Sequence, residues 1–149
     1  MALHVAIYLR VSTQDQSTEI QRHELISFVG SRGWGEPKVY EDKESGTTIK
    51  RPALQQLLTD ARARRVDVIV CWKLDRLFRS LGDLVAVLKE LEELGVLFIS
   101  MRDQIDMTTS AGRLMTHLLG AFAEFEASLI RERVRAGLAN AKRKAPECA

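Results

Sequence analysis

In Arg10-Val11-Ser12 an arginine stands two residues before a serine, a spacing that puts both side chains on one side of an extended backbone. A serine hydroxyl is a poor nucleophile until something activates it or stabilises what it forms. Arginine suits phosphate in that role. Its planar fork donates in bidentate fashion and keeps its charge, so it can hold a phosphodiester and the extra negative charge of a pentacoordinate transition state. Asp75-Arg76-Leu77-Phe78-Arg79 supplies two more guanidiniums and a carboxylate. Losing one preorganised donor of this kind costs roughly 3–4 kcal/mol in the transition state, so several arginines could stand in for a metal ion. Each residue also has an ordinary use: Ser12 in a turn, Asp75-Arg76 as a surface ion pair, Gln21 in a helix cap, Arg51 in solvent. Composition and spacing alone lead to an α/β domain with a nucleic-acid affinity.

Other chemistries lack their marks. His4, His23 and His117 are scattered, with no CxxC pair and no HExxH, and there is no GxSxG elbow, GxGxxG turn or phosphate-binding P-loop. We therefore expect no metal and no cofactor. The two cysteines, Cys71 in an apolar run and Cys148 near the end, read as free thiols. No apolar run reaches the ~18 residues of a membrane span, and the opening MALHVAIYLR lacks a signal peptide's basic start and cleavage site, which predicts a cytoplasmic protein with no membrane partner.

The elements that must position Ser12 follow from the apolar pattern. With 149 residues, 46% of them hydrophobic and 28% charged, the chain has the material for one globular core. Val5-Ala6-Ile7-Tyr8-Leu9, Lys38-Val39-Tyr40-Glu41, Val68-Ile69-Val70-Cys71-Trp72 and Val96-Leu97-Phe98-Ile99 read as short strands. Between them lie helical patterns: Ile20, Leu25, Ile26, Phe28 and Val29 over 18–33; Leu54, Leu57, Leu58 and Ala61 after Pro52; and Leu84, Val87, Leu88 and Leu91 between a Ser80 cap and Gly95. Thr18 and Gln21 have the spacing of a capping box. This alternation predicts an α/β fold, an open and mainly parallel sheet flanked by helices, with ligands beyond the carboxyl ends of the strands. Ser12, Asp42 and the segment from Lys73 to Arg79 all follow predicted strands.

One further helix, capped by Ser110, is expected to run to Lys144, ~45–50 Å at ~1.5 Å per residue, which overshoots a small domain. Met115, Leu118, Phe122, Phe125 and Leu129 recur at alternating three and four spacing, and this seam is expected to stop where a basic run begins. Arg131, Arg133, Arg135, Lys142, Arg143 and Lys144 stand there against Glu132 alone, although the whole chain carries only +2. The seam could pack on its own domain and the basic run could simply be solvated. Their adjacency favours a homodimer that straddles double-stranded DNA, with phosphate contacts from Arg131, Arg135, Lys142, Arg143 and Lys144. The expected division is a core over 1–109, the helix over 110–144 within the same domain, and a tail over 145–149.

Tyr8-Leu9-Arg10-Val11-Ser12-Thr13, with Gln16 and Gln21 downstream, resembles the opening of the resolvase/invertase family of serine site-specific recombinases. Asp42-Lys43-Glu44-Ser45-Gly46 with Arg51-Pro52, then Lys73-Leu74-Asp75-Arg76-Leu77-Phe78-Arg79, then Phe122-Ala123-Glu124-Phe125-Glu126 with Ile130-Arg131-Glu132-Arg133, look like further family blocks in family order. The resemblance implies that Ser12 becomes linked to a DNA 5′ phosphate while a 3′ hydroxyl leaves, and that exchanged ends religate without ATP. It places Arg10, Arg76 and Arg79 on the scissile phosphate, with Tyr8, Gln16, Gln21, Asp42, Ser45, Arg51 and Asp75 supporting the site. Asp75 would move a proton or orient an arginine; the sequence leaves both roles open. Glu132 and Arg133 match long-helix positions near the interface and active site. The resemblance also implies dimers that pair into a tetramer on synapsis.

Two departures stand out. Ala127 follows Glu126 where many small-resolvase relatives have arginine, which points toward the large-recombinase branch or another subgroup. After Lys144 only five residues remain, where such relatives carry a helix-turn-helix or larger DNA-reading region, so the expectation is a catalytic fragment or a truncated gene product with weak, salt-sensitive DNA affinity. Two rival readings fit the same residues: a metal-dependent nuclease using Asp42, Asp75 and Asp103, and a regulatory dimerisation module without activity.

Overall fold

The computed structural model describes residues 3–12, 18–44, 51–73 and 80–144. The elements in chain order are β1 (Val5–Ser12), α1 (Thr18–Ser31), β2 (Lys38–Glu44), α2 (Pro52–Arg62), β3 (Val68–Cys71), α3 (Leu81–Leu94), β4 (Leu97–Ser100), β5 (Ile105–Asp106) and α4 (Ser110–Lys144). The strands form one sheet in the order β2-β1-β3-β4-β5, parallel except for the antiparallel β5.

The period-two alternation of β1 sorts the core into two layers. Val5, Ile7 and Leu9 face α1 and pack with Leu25, Val29, Val68, Val70 and Ile99. Ala6 and Tyr8 face the other way and pack with Leu54, Leu57 and Ala61 of α2 and Leu84, Leu88 and Leu91 of α3. All four residues of β3 are buried, as expected for a parallel strand covered on both faces. Truncating Leu57 would cost about 2–5 kcal/mol, the usual range for leucine in a packed core.

The strand order places the chemistry. The chain leaves β1 for β2 on one side, then crosses back over to β3 on the other, so the direction of winding reverses between β1 and β3. That switch point is where open α/β sheets leave a crevice at the carboxyl ends of their strands. Ser12 ends β1 there, and Lys73 follows β3 by two residues.

Several expectations need correction. The first two strands run longer than their apolar cores: Arg10, Ser12, Asp42 and Glu44 lie within β1 and β2, not in loops after them. Their pairing explains this, because the register continues as Arg10 beside Asp42 and Ser12 beside Glu44 after the apolar residues end. Of the five apolar residues expected to form one face of α1, which ends at Ser31, only Leu25 and Val29 are buried and Phe28 is half-buried, whereas Ile20 is 61% exposed and Ile26 41%. Ser80 does cap α3, its Oγ accepting from the Asp83 amide at 3.1 Å, and Gly95 ends that helix at φ +74°.

α4 covers Ser110 to Lys144, 35 residues, as expected. Its cap is Thr109 instead of Ser110: the Thr109 Oγ1 accepts from the Gly112 amide at 3.0 Å and donates to the Asp106 carbonyl at 2.8 Å. Gly112 is required at this joint. A Cβ there would lie 1.8 Å from the Asp106 carbonyl oxygen, so only a glycine lets the first turn of α4 rest on the backbone of β5.

Candidate active site

Four of the expected site residues come together beside the end of β1. The Tyr8 hydroxyl donates to Asp42 Oδ2 at 2.9 Å. Asp42 also accepts two backbone amides from the first turn of α2, Ala53 N–H on Oδ1 at 2.8 Å and Leu54 N–H on Oδ2 at 3.0 Å. A strand carboxylate thus caps a helix that starts ten residues later, at Pro52. Arg51, at the cap position itself, makes no side-chain cap. The negative charge of Asp42 sits at the positive end of the α2 dipole.

Burial pushes the Tyr8 hydroxyl well above its ordinary range, and the hydrogen bond to Asp42 and the Asp42 charge push it further. The Arg51 and Arg10 guanidiniums act in the opposite direction. Both cations are therefore close enough to Tyr8 to act on it, so phenol, carboxylate and two arginines form one electrostatic unit. Tyr8 stays protonated and remains a donor. Asp42 gives both oxygens to neutral donors of the fold, an arrangement that suits a helix anchor better than the metal ligand of the nuclease reading.

Gln21 is buried in the first turn of α1. The backbone of Ser12 is paired with Glu44 at the end of β1. Gln16, Ser45, Asp75, Arg76 and Arg79 lie outside the described residues, as do Ala145 to Ala149. Among the described residues, no group of three or more His, Cys, Asp or Glu side chains is arranged to hold a metal ion.

The candidate interface residues on α4 point away from their own core: Met115, Leu118, Phe122 and Phe125 are 47% to 60% exposed, and Leu129 is half-buried. Glu132, Arg133 and the five candidate phosphate contacts, Arg131, Arg135, Lys142, Arg143 and Lys144, are all exposed on the same helix. The apolar character does not stop at Leu129, however. Ile130, Val134 and Leu138 are also more than half exposed. At ~3.6 residues per turn they fall on a different face from the seam, in line with Thr116, Gly120, Ala123 and Ala127. Those four line a groove of about 580 Å³ between α3 and α4, which shares no residue with the Tyr8–Asp42 cluster.

Two groupings were beyond sequence reasoning. Tyr40 donates to Asp60 at the far end of α2, and the Arg102 guanidinium stacks 4.4 Å over the Trp72 ring. Both pairs are non-local, and no spacing rule joins them. For Gly112 the signal was present as a glycine in the first turn of a long helix.

The resolvase N-terminal domain family matches residues 5–146 of the chain. The chain belongs to the serine recombinase family. Its similarity to known members covers nearly all of it. The serine recombinase gin of Escherichia phage Mu is 44% identical over 137 residues, 92% of this chain and 67% of that protein. The DNA-invertase hin of Salmonella typhimurium is 43% identical over 135 residues, 91% and 67% respectively. The chain therefore spans about two thirds of these relatives. Among solved structures, the N-terminal catalytic domain of TP901-1 integrase superposes with a TM-score of 0.74 at 36% identity, covering 85% of this chain and 98% of that one. A resolvase family site-specific recombinase from Streptococcus pneumoniae gives 0.79 at 29% identity, covering 95% and 99%. The parallel sheet with its long carboxyl-terminal helix is thus the fold of a serine recombinase catalytic domain.

Proposed function

We propose that this recombinase domain cuts and rejoins DNA through Ser12. The Ser12 oxygen forms a bond to phosphorus as the bond from phosphorus to the 3′ oxygen breaks; the serine loses its proton and the departing 3′ oxygen gains one. A 5′-phosphoserine link and a free 3′ hydroxyl result. After exchange, another strand's 3′ hydroxyl attacks the phosphoserine and frees the enzyme. The phosphodiester count is unchanged, so no ATP is required, and the arginines take the charge-stabilising role of a metal ion. Arg10, Arg76 and Arg79 hold the phosphate, with Asp75 supplying proton transfer or orientation. Asp42 and Tyr8 position Arg10 and Arg51, and Gln16, Gln21, Ser45, Glu132 and Arg133 support the site. Within these 149 residues DNA affinity rests on phosphate contacts and is weak and salt-sensitive. The α4 seam joins two copies, and two dimers pair at synapsis.

The observation that carries this reading is the place of Arg10 and Ser12: at the carboxyl end of β1, at the switch point of the sheet, in a chain of this family. The test fuses a DNA-binding domain of known specificity after Lys144 and incubates the fusion with supercoiled plasmid carrying paired sites, in EDTA. A covalent adduct that maps to Ser12 and is absent in Ser12→Ala is expected. Cleavage that needs magnesium and leaves no adduct would overturn the proposal.

A further inference from the structure

On the α1 side of the sheet, beyond the carboxyl ends of β3 and β4, Ile20, Gln21, Trp72, Lys73 and Arg102 line an open hollow of about 390 Å³. We propose that this hollow seats a second backbone phosphate of the DNA substrate, gripped by Lys73 and Arg102, a few nucleotides from the one that Ser12 attacks. The inference rests on the DNA-cleaving reading above and adds a contact to it.

Position is the first argument. Lys73 lies two residues past the end of β3 and Arg102 two past the end of β4. Cys71 and Ser100 end β3 and β4 level with Tyr8, four residues short of Ser12, so with ~4.8 Å between neighbouring strands and ~3.3 Å per residue β1 and β4 end roughly 16 Å apart, about five nucleotides of rise along a duplex axis at ~3.4 Å each. A DNA strand running from Ser12 across the sheet edge passes over this hollow. Lys73 also directly precedes the segment that carries Asp75, Arg76 and Arg79.

The second argument is preorganisation. The Arg102 guanidinium lies 4.4 Å over the Trp72 ring, and the Arg102 amide donates to the Trp72 carbonyl at 3.0 Å, which ties the two loops together. That contact with the ring restrains the guanidinium, so less side-chain freedom remains to be lost when an anion arrives. The competing carboxylate, Glu24, sits 3.8 Å from Arg102 with both side chains substantially exposed. That distance is too long for a hydrogen bond, and an exposed pair of this kind is weak enough for a phosphate to displace. Lys73 is exposed beside the stack and supplies a second charge.

Trp72 provides the readout, because the chain has only one other tryptophan, Trp34. In a Trp34→Phe background, a short fluorescein-labelled duplex should gain anisotropy and quench Trp72 emission together at low salt. Lys73→Gln and Arg102→Gln should each lower the slope of log K against log salt by about 0.9, one phosphate contact, and Arg102→Lys should restore most of that slope. Lys73→Gln leaves the Trp72 stack in place, so loss of quenching in that variant is not a folding effect. If anisotropy rises while Trp72 emission and both slopes stay unchanged, DNA docks elsewhere, as on α4, and the hollow is not a phosphate site. No binding by the parent chain at low salt would overturn the DNA-cleaving reading and this inference with it.

Discussion

The two ends of α2 carry the same chemical pair, a buried tyrosine bonded to a buried aspartate, with opposite consequences. At the amino end the aspartate, Asp42, belongs to a strand and receives Tyr8 and two helix amides. At the carboxyl end the aspartate, Asp60, belongs to the helix. It receives Tyr40 at 2.6 Å and Gln56 at 3.0 Å, with Lys38 at 3.6 Å and Arg65 at 3.7 Å. The helix dipole favours Asp42 and opposes Asp60, and at Asp60 the Lys38 and Arg65 cations offset that opposition. The first pair lies among arginines next to Ser12, and the second closes the scaffold. A buried Tyr–Asp bond with cations around it is thus not itself a sign of function; its place beside the carboxyl end of β1, at the switch point of the sheet, makes the difference.

The largest expected effect separates the two ends by activity. Asp42→Ala leaves the Tyr8 hydroxyl and two amides without an acceptor, so stability should fall by about 3 kcal/mol, and Ser12 adduct formation should fall by on the order of 100-fold as Arg10 and Arg51 lose their anchor. Urea unfolding together with the adduct assay reads both. Asp60→Ala should lower the unfolding midpoint while adduct formation per folded molecule stays near the parent value. An equal loss of adduct in both variants would erase the distinction.

The tyrosines give a gentler version. Tyr8→Phe and Tyr40→Phe should each cost about 1 kcal/mol of stability, since each aspartate keeps other donors. Only Tyr8→Phe should also slow adduct formation, by roughly 10-fold, about the effect of 1.4 kcal/mol on a barrier. The smallest effect is in pH. The Tyr40 hydrogen bond holds the Asp60 carboxyl below its ordinary 3.8, against the opposing effect of burial, with Gln56 and Lys38 adding to the lowering. A carboxyl with a lowered folded-state pKa stabilises the fold fully above its unfolded value, and that contribution is lost as pH falls through the lowered one. The stability gap between the parent and Asp60→Asn should therefore be constant near neutral pH and close only in the acid range below about pH 4. A gap that closes near pH 7 would contradict this origin.

Much of the scaffold was legible in the sequence because burial writes itself into period. Continuous apolar runs at Val68 to Cys71 and the three-four spacing at Leu84, Leu88 and Leu91 need only one kind of contact to read. The polar strand ends were not legible: Arg10 with Asp42 and Ser12 with Glu44 extend β1 and β2 by pairing, with no apolar pattern to show it. β5 is two residues long, too short for any period. Thr108, Thr109 and Ser110 are three consecutive hydroxyl residues that could each cap a helix, and the contact with Asp106 decides among them. On α1, the surplus isoleucines Ile20 and Ile26 made the apolar face look wider than the sheet allows. In the candidate site, spacing put Arg10 and Ser12 on one side of a strand, and only the family resemblance singled them out. The Tyr8–Asp42 bond spans 34 residues, and family resemblance pointed to its members without showing that they touch.

The contact between Gly112 and the Asp106 carbonyl has a mechanical consequence. From Gly112 to Lys144 the helix is a lever arm of about 48 Å, fulcrumed where its first turn rests on β5. A tilt of about 5° at that fulcrum sweeps the basic tip by about 4 Å, comparable to the ~3.4 Å axial rise of one base pair. A single methyl group at residue 112 would be enough to tilt it, so the angular tolerance of one glycine sets where the far end of the helix lies.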